Sequence, residues 1–458
     1  MTLGEIAAAT GGRVVNAAPS VVVTGPVEYD SRKIAPGGLF AAFEGENVDG
    51  HDYAATAMKA GAAAVLSTRD TGEPGVVVEA PLEALAKLAH AVVGRLDELT
   101  VVGLTGSSGK TTTKDYVGQL LSRLGPTVAP PGTLNNELGF PYTVLQATEQ
   151  TRFLVLEMSA RGVGHIRYLS EIVRPDVGVV LNIGQAHIGL FGTVEGTAVA
   201  KGELVEALPA EGLAVLNADD PLVAAMAPRT AARVLLVGES PAAAIRADEV
   251  TLDRDGRASY VLSAAGRSGR VQLRVAGRHQ VPNTLAAAGV ALSLGLEFDD
   301  LVTALGEIGI VSSRRMDVFQ RPDGVTVIDD SYNANPSSTS AALHAMDAIA
   351  GGRRTIVVLG YMAELGHLER AGHEEVGRLA AELGVDRLVA VAENARPVLD
   401  GAAGVAGWAG TALFAADQAA AIEIVGSDLR PGDVVLVKGS RYRTWDVVDS
   451  LRPEGEHR

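Results

Sequence analysis

Short apolar runs separated by longer amphipathic stretches recur along the chain, and their spacing predicts an α/β protein in three parts. In residues 1–97 the runs are brief, at Val21–Thr24 and Gly38–Phe43, with turn clusters at Ala35–Gly38 and Gly45–Gly50. A helical pattern over Tyr53–Ala60 leads to a strand at Ala62–Leu66, and another over Leu82–Leu96 leads out. This reads as a small N-terminal α/β domain. From 98 to 311 the runs Val101–Leu104, Phe153–Leu156, Val177–Leu181 and Ala214–Leu216 alternate with helical patterns. Continuous apolar strands of this kind belong to parallel sheets covered on both faces. Val250–Val275 reads as a β-rich appendage, and a helix over Val281–Leu296 closes the block. Val311–Arg315 reads as a hinge. Residues 312–458 alternate again: strands at Val325–Ile328, Thr355–Leu359, Leu388–Val391 and Val434–Val437, helices at Ser338–Ile349, Ala371–Leu383 and Gln418–Val425. That pattern predicts a separate, doubly wound, Rossmann-like domain.

Composition narrows the function. Hydrophobic residues make up 47% and charged residues 21% of the 458, which excludes a disordered chain. The net charge of −16 repels a phosphate backbone, so no nucleic-acid partner is expected. Cysteine is absent, which excludes disulfides, thiolate metal sites and cysteine nucleophiles. The opening MTLGEIAAATGGR has neither a basic leader nor a long apolar run, and nowhere do about 18 apolar residues follow one another. A cytoplasmic protein with no membrane insertion is expected.

The strongest chemical motif runs from Thr100 to Thr113. An apolar strand enters Gly106-Ser107-Ser108-Gly109, and Lys110, Thr111 and Thr112 open a helix. Backbone N–H groups of such a turn wrap phosphate oxygens, a lysine reaches the terminal phosphates, and a hydroxyl can hold Mg²⁺. The strict phosphate-loop spacing fails, because its first glycine would fall on Leu104. Glu157, His187 and Lys201 lie downstream, where an open parallel sheet carries its ligands. Glu157 suits a hard cation. Taken singly, a strand-end glutamate is equally a solvated cap, and a lone lysine equally a surface group.

These segments resemble a known family. Gly103–Thr112, reading GLTGSSGKTT, resembles the ATP loop of the Mur ligases, which build the peptide of bacterial peptidoglycan. Asp329–Pro336 (DDSYNANP) and Thr133–Pro141 (TLNNELGFP) are similar to segments of the branch that adds a D-alanyl-D-alanine dipeptide. Gly277–Ala286, Arg314–Met316 and Val435–Arg441 match in order, and Asp30–Lys33 and Gly45–His51 resemble the family's uridine-nucleotide domain.

The resemblance implies a uridine-nucleotide domain at 1–97, a central ATPase domain at 98–311 and a Rossmann-like domain at 312–458. It implies an ATP-dependent amide-bond-forming ligase that joins D-alanyl-D-alanine to UDP-N-acetylmuramoyl-tripeptide and releases ADP and phosphate. It implies two Mg²⁺ ions near Thr111, Glu157, His187 and Lys201, with Lys201 carbamylated and Lys110 on the phosphates. Asn283, Arg315, Asp330, Asn333 and Asn335 would contact the nucleotide. Ser31, Arg32, Asn135, Asn136 and Ser440 would contact the other substrates, and the chain would act as a monomer. The sequence departs from the family pattern at Tyr361, where an acidic residue is usual, and at Gln280, where asparagine is common. Three other readings stay open: the preceding ligase, which adds the third amino acid but whose Asp-Asn-Pro-Arg motif is absent here; a folylpolyglutamate-synthetase-like enzyme; and a nucleotide-binding scaffold without turnover.

Overall fold

A computed structural model of the chain describes residues 1–45, 48–184, 188–440 and 443–453. His187 and Arg441 therefore lie outside the described residues. The protein is α/β, with sheets of five, nine and six strands. By contacts it forms two compact units, one of Met1–Gly103, Gly125–Ser159 and Arg167–Asp176, the other of the remaining residues.

In the first unit, the helix Leu3–Thr10 starts from a capping box between Thr2 and Glu5. The helix Pro81–Val93 starts on proline, whose missing N–H costs nothing in a first turn, and buries Leu85, Leu88 and Ala89. The five-stranded sheet runs Arg13–Val15, Gly75–Val77, Ala64–Ser67, Leu39–Ala41, Val27–Glu28. Its first pairing is antiparallel and the rest are parallel. Phe40, Val65, Ala54 and Ala57 form the core between sheet and helix. The expected strand at Val21–Thr24 is only an isolated bridge between Val22 and Thr2.

In the second unit, strands Val177–Val180, Leu213–Asn217 and Arg233–Gly238 are parallel neighbours. Ile245–Leu252 continues them in parallel, then pairs antiparallel with Arg257–Ala264, which pairs with Arg267–Ala276. The expected appendage is thus an extension of the same sheet. The helix Lys110–Leu121 packs on the helix Gln280–Ser293.

The six-stranded sheet runs Asp317–Gln320, Thr326–Asp330, Val434–Lys438, Thr355–Leu359, Arg387–Val391, Thr411–Ala415, and only the first strand is antiparallel. Alternate residues enter opposite cores: Ile328, Val357, Leu388 and Leu436 one way, Val327, Val358, Val389 and Val437 the other. Burial on both faces is why these strands read as unbroken apolar runs. Among the described residues, no helix is long and apolar enough to cross a membrane.

Candidate functional site

The strand Thr100–Thr105 delivers the chain into Gly106–Gly109, and the helix Lys110–Leu121 begins directly after. One side chain pins this turn. Asn182, just past the strand Val177–Val180, accepts the N–H groups of Ser107 (3.1 Å) and Ser108 (2.9 Å) on its Oδ1. Its Nδ2 donates back to the Ser108 carbonyl at 3.1 Å. Gly109 takes φ +79°, and a Cβ there would lie 2.5 Å from Asn283 Oδ1. Only glycine meets both demands without strain.

Cations gather on this turn. Lys110 Nζ donates to the Gly106 carbonyl at 2.8 Å, and Lys201 Nζ donates to the same oxygen at 3.1 Å. Lys201 is 1% exposed, although a lone lysine is ordinarily a surface residue. Arg315 adds a third charge, donating from Nη2 to Thr111 Oγ1 at 3.2 Å and lying 4.1 Å over the Tyr332 ring. Arg314 and Met316 on either side take φ +61° and +55°. Two left-handed non-glycine residues thus flank one arginine, a costly backbone conformation for either. Thr112 is half-buried on the same turn.

The DDSYNANP segment is built from paired charges. Register sets Asp330 beside Lys438 on neighbouring parallel strands. Lys438 Nζ donates to Asp330 Oδ2 and, at 3.0 Å, to the Asn333 carbonyl, while Asp330 Oδ1 accepts the Met316 N–H at 3.2 Å. Burial lowers the Lys438 pKa, and Asp330 opposes that shift. Nearby His279 is pushed down to about 4 by burial, again against the pull of Asp330. Asp329 is fully buried, with its pKa raised by that burial, and it accepts from Ser331 and Arg452. Asn335 caps the helix Pro336–Ala350 by accepting the Ser338 N–H at 2.9 Å. The Asn333 side chain is exposed.

Both departures from the family pattern have structural partners. Gln280 Oε1 accepts from Tyr116 Oη (3.1 Å) and from Asn283 Nδ2 (3.0 Å), so it orients Asn283 toward Gly109. Tyr361 donates to Glu369 Oε2 at 2.6 Å and stacks on His373. Ser440 ties down that loop, donating to the Tyr361 carbonyl at 2.8 Å and accepting the Ala363 N–H at 3.0 Å. A little further on, Gly189 and Gly366 meet backbone to backbone. A Cβ on Gly366 would lie 2.6 Å from Gly189 Cα, and one on Gly189 2.7 Å from Gly366 N.

In the first unit, Glu157 ends the strand Phe153–Glu157 with 4% exposure and accepts Asn135 Nδ2 on its Oε1 at 2.6 Å. Asn136 is engaged locally, accepting the Gly139 N–H at 2.7 Å. Ser31 and Arg32 line a cavity of about 610 Å³ with Tyr29, Phe40, Phe43 and Tyr53. Glu28 shapes its rim by accepting the Tyr29 and Asp30 N–H groups and the Tyr142 hydroxyl. Asp30 accepts two bonds from the Arg32 side chain, which hold its carboxyl down at about 2.

Asn182, Gln280 and Lys438 were not among the residues expected from sequence. Each carried a faint signal, since each sits at or just beyond the end of a strand or opens a helix. Among the described residues, no group of three or more His, Asp or Glu is poised to hold a metal.

Comparison with known proteins decides the family. The chain is 47% identical to the UDP-N-acetylmuramoyl-tripeptide–D-alanyl-D-alanine ligase of Mycobacterium tuberculosis, over 96% of this chain and 95% of that one. It belongs to the Mur ligase family. Residues 26–92 match the Mur ligase family catalytic domain, 104–291 the Mur ligase middle domain, and 314–441 the Mur ligase glutamate ligase domain. MurF from Acinetobacter baumannii superposes with a TM-score of 0.84 at 31% identity, covering 98% of both chains. MurF from Thermotoga maritima in complex with ADP superposes with a TM-score of 0.79 at 30% identity, covering 94% of this chain and 97% of that one. The three-domain α/β fold is thus the one these Mur ligases share.

Proposed function

We propose that this Mur ligase joins D-alanyl-D-alanine to UDP-N-acetylmuramoyl-tripeptide at the expense of ATP, with release of ADP and phosphate. The observation that carries the reading is the convergence of Lys110 and Lys201 on the Gly106 carbonyl, with Arg315 on Thr111 beside them. The Lys110 and Arg315 cations at a glycine turn suit a triphosphate, Lys201 being the buried amine that would take the carbamate, and the names of the relatives supply the acceptors.

A carboxylate is a poor electrophile and must be activated before an amine can attack it. The tripeptide carboxylate attacks the γ-phosphate, and the D-alanyl-D-alanine amine then displaces phosphate from the acyl phosphate. Bringing a carboxylate to a triphosphate crowds negative charge, which Lys110 and Arg315 offset. The Ser107 and Ser108 turn, fixed by Asn182, holds the phosphates. Asp330 and Asn283 orient the nucleoside, together with Asn333 and Asn335. Ser31 and Arg32 hold the uridine nucleotide in the aromatic cavity, and Asn135, Asn136 and Ser440 serve the peptide substrates.

Thr111, Glu157, His187 and Lys201 are the residues we assign to Mg²⁺. The buried Thr111 hydroxyl and the buried Glu157 carboxylate are oxygen donors of the kind a hard cation takes. A carbamate on Lys201 would turn a buried amine into a further oxygen donor. When bound, Mg²⁺ supplies charge neutralisation at the transferring phosphoryl group. Functional domains at 1–97, 98–311 and 312–458, a cytoplasmic location and a monomeric state complete the proposal.

A substrate matrix read by product mass tests it. UDP-N-acetylmuramoyl-tripeptide with D-alanyl-D-alanine should release ADP and gain two alanines. The corresponding dipeptide with free diaminopimelate or lysine should give almost nothing, since polar discrimination of this kind reaches about 10⁴-fold. Efficient turnover of the second pair would make the chain the preceding ligase.

A further inference from the structure

A second cavity, of about 860 Å³, lies in the larger unit and none of the residues assigned above lines it. Its lining mixes polar groups with apolar side chains that include Ile310, Met316, Phe319 and Ile349. Four arginines line it, Arg254, Arg257, Arg274 and Arg353, against two acids, Asp255 and Asp317. Both acids are already neutralised. Asp255 pairs with Arg257 at 3.4 Å, and Asp317 pairs with Arg452 at 2.9 Å. Arg353 is fixed in place by donating to the Ala350 carbonyl (3.1 Å), the Ile349 carbonyl (2.7 Å) and Thr326 Oγ1 (3.0 Å). Three bonds leave two of its five N–H donors for a ligand. Arg254 and Arg274 have neither an ion pair nor a hydrogen bond to their side chains among the described residues. In a chain of net charge −16, such an excess of cations is a local inversion of the surface.

We propose that this cavity binds a small organic anion: a phosphate or carboxylate group held by Arg254, Arg274 and Arg353, carried on a body that rests against the apolar side chains of the lining. The volume falls in the range of ordinary ligand pockets. Guanidinium groups are suited to either anion because their fork matches two oxygens. The cavity also touches the segment that carries Arg315. Met316 lines it, and its N–H donates to Asp330, while its neighbour Arg315 donates to Thr111. An occupant therefore rests against the segment that aims Arg315, so its binding is coupled to that of the nucleotide. The binding claim stands independently of the ligase reading.

The test uses the full chain with ADP and Mg²⁺ at saturation, so that the phosphate loop is already filled. Phenyl phosphate, phenylacetate and neutral benzyl alcohol are titrated by calorimetry. At least one of the two anions should bind one-to-one, benzyl alcohol at least about 10-fold more weakly, and the stronger anion identifies the natural head group. Arg254→Ala combined with Arg274→Ala should weaken that anion by at least about 10-fold, with unchanged melting temperature and basal ATP turnover. Arg254→Lys with Arg274→Lys should recover part of the loss. Saturation with the anion should shift ATP affinity in the parent and leave it unshifted in the alanine pair. Equal binding of benzyl alcohol, absence of binding, or full affinity in the alanine pair would each overturn the site. Binding with no shift in ATP affinity would overturn the coupling.

Discussion

The phosphate turn and the DDSYNANP segment both lie in the larger unit, yet they are built in opposite ways. The turn is made of backbone: small residues, one left-handed glycine, and a single amide from Asn182 that fixes two N–H groups. The segment is made of buried charge: Asp330 is held by Lys438, which lies 108 positions further along the chain. A backbone device keeps its shape mostly through contiguous residues, here with one distant amide, Asn182, to hold it. A charge device keeps it only while both partners and the sheet register survive. Substitution in the turn should therefore cost catalysis, and substitution in the segment should cost stability as well.

The largest expected effect is at the turn. Lys110→Ala should lower ATP turnover by about 10³-fold, of the order lost with a preorganised catalytic donor. Its melting temperature should stay near that of the parent, and a large drop there would dissolve the contrast. Lys438→Met should do the reverse, leaving the partly buried Asp330 without its cation. Removing one partner of such a pair costs about 3 kcal/mol or more, measurable by urea denaturation. Adding Asp330→Asn to that variant should return much of the loss, because the orphaned charge is gone. Gly109→Ala sharpens the comparison from the other side. It should cost about 1–2 kcal/mol for the left-handed conformation and lower ATP affinity, and Asn283→Ala should relieve the contact with the new Cβ while leaving that backbone cost in place.

The smallest effect concerns His279. Its folded pKa lies near 4, below the ordinary 6.5, so the unfolded chain binds the extra proton first as pH falls. The stability this imidazole contributes is complete above about pH 6.5 and is lost as pH drops toward 4. His279→Gln should thus show a shallower fall in melting temperature between pH 6.5 and 4. A steeper fall would mean that Asp330 and Lys438, the charges facing the ring, dominate its titration.

The same contrast governs what could be read from the chain. Thr355–Leu359 reads from sequence with the bounds it has in the structure, because both its faces are buried and the four positions after Thr355 are apolar. Arg233–Gly238 escaped notice. Only the four-residue helix Pro221–Ala224 and a short turn precede it after Leu213–Asn217, too little chain to show a helical period. Three-residue strands such as Arg13–Val15 offer no alternation to count. In the site, the glycine turn was legible because its residues are contiguous. The Asp330–Lys438 pair was half visible, since nothing local in Val435–Arg441 says which strand will lie beside it. Asn335 resembled a nucleotide contact, while its placement before Pro336 and three residues ahead of Ser338 also spelled the cap that the structure contains.

The contact between Gly189 and Gly366 has a consequence for how this lineage can drift. Most touching positions can trade bulk, one residue growing as its neighbour shrinks. Here neither side has anything left to give up, because each already lacks a side chain and meets the other's main chain. A methyl gained at either position therefore finds no compensating change across the contact. Each position should therefore stay glycine on its own account, and a search for correlated substitutions among homologues should find none between two residues in direct contact.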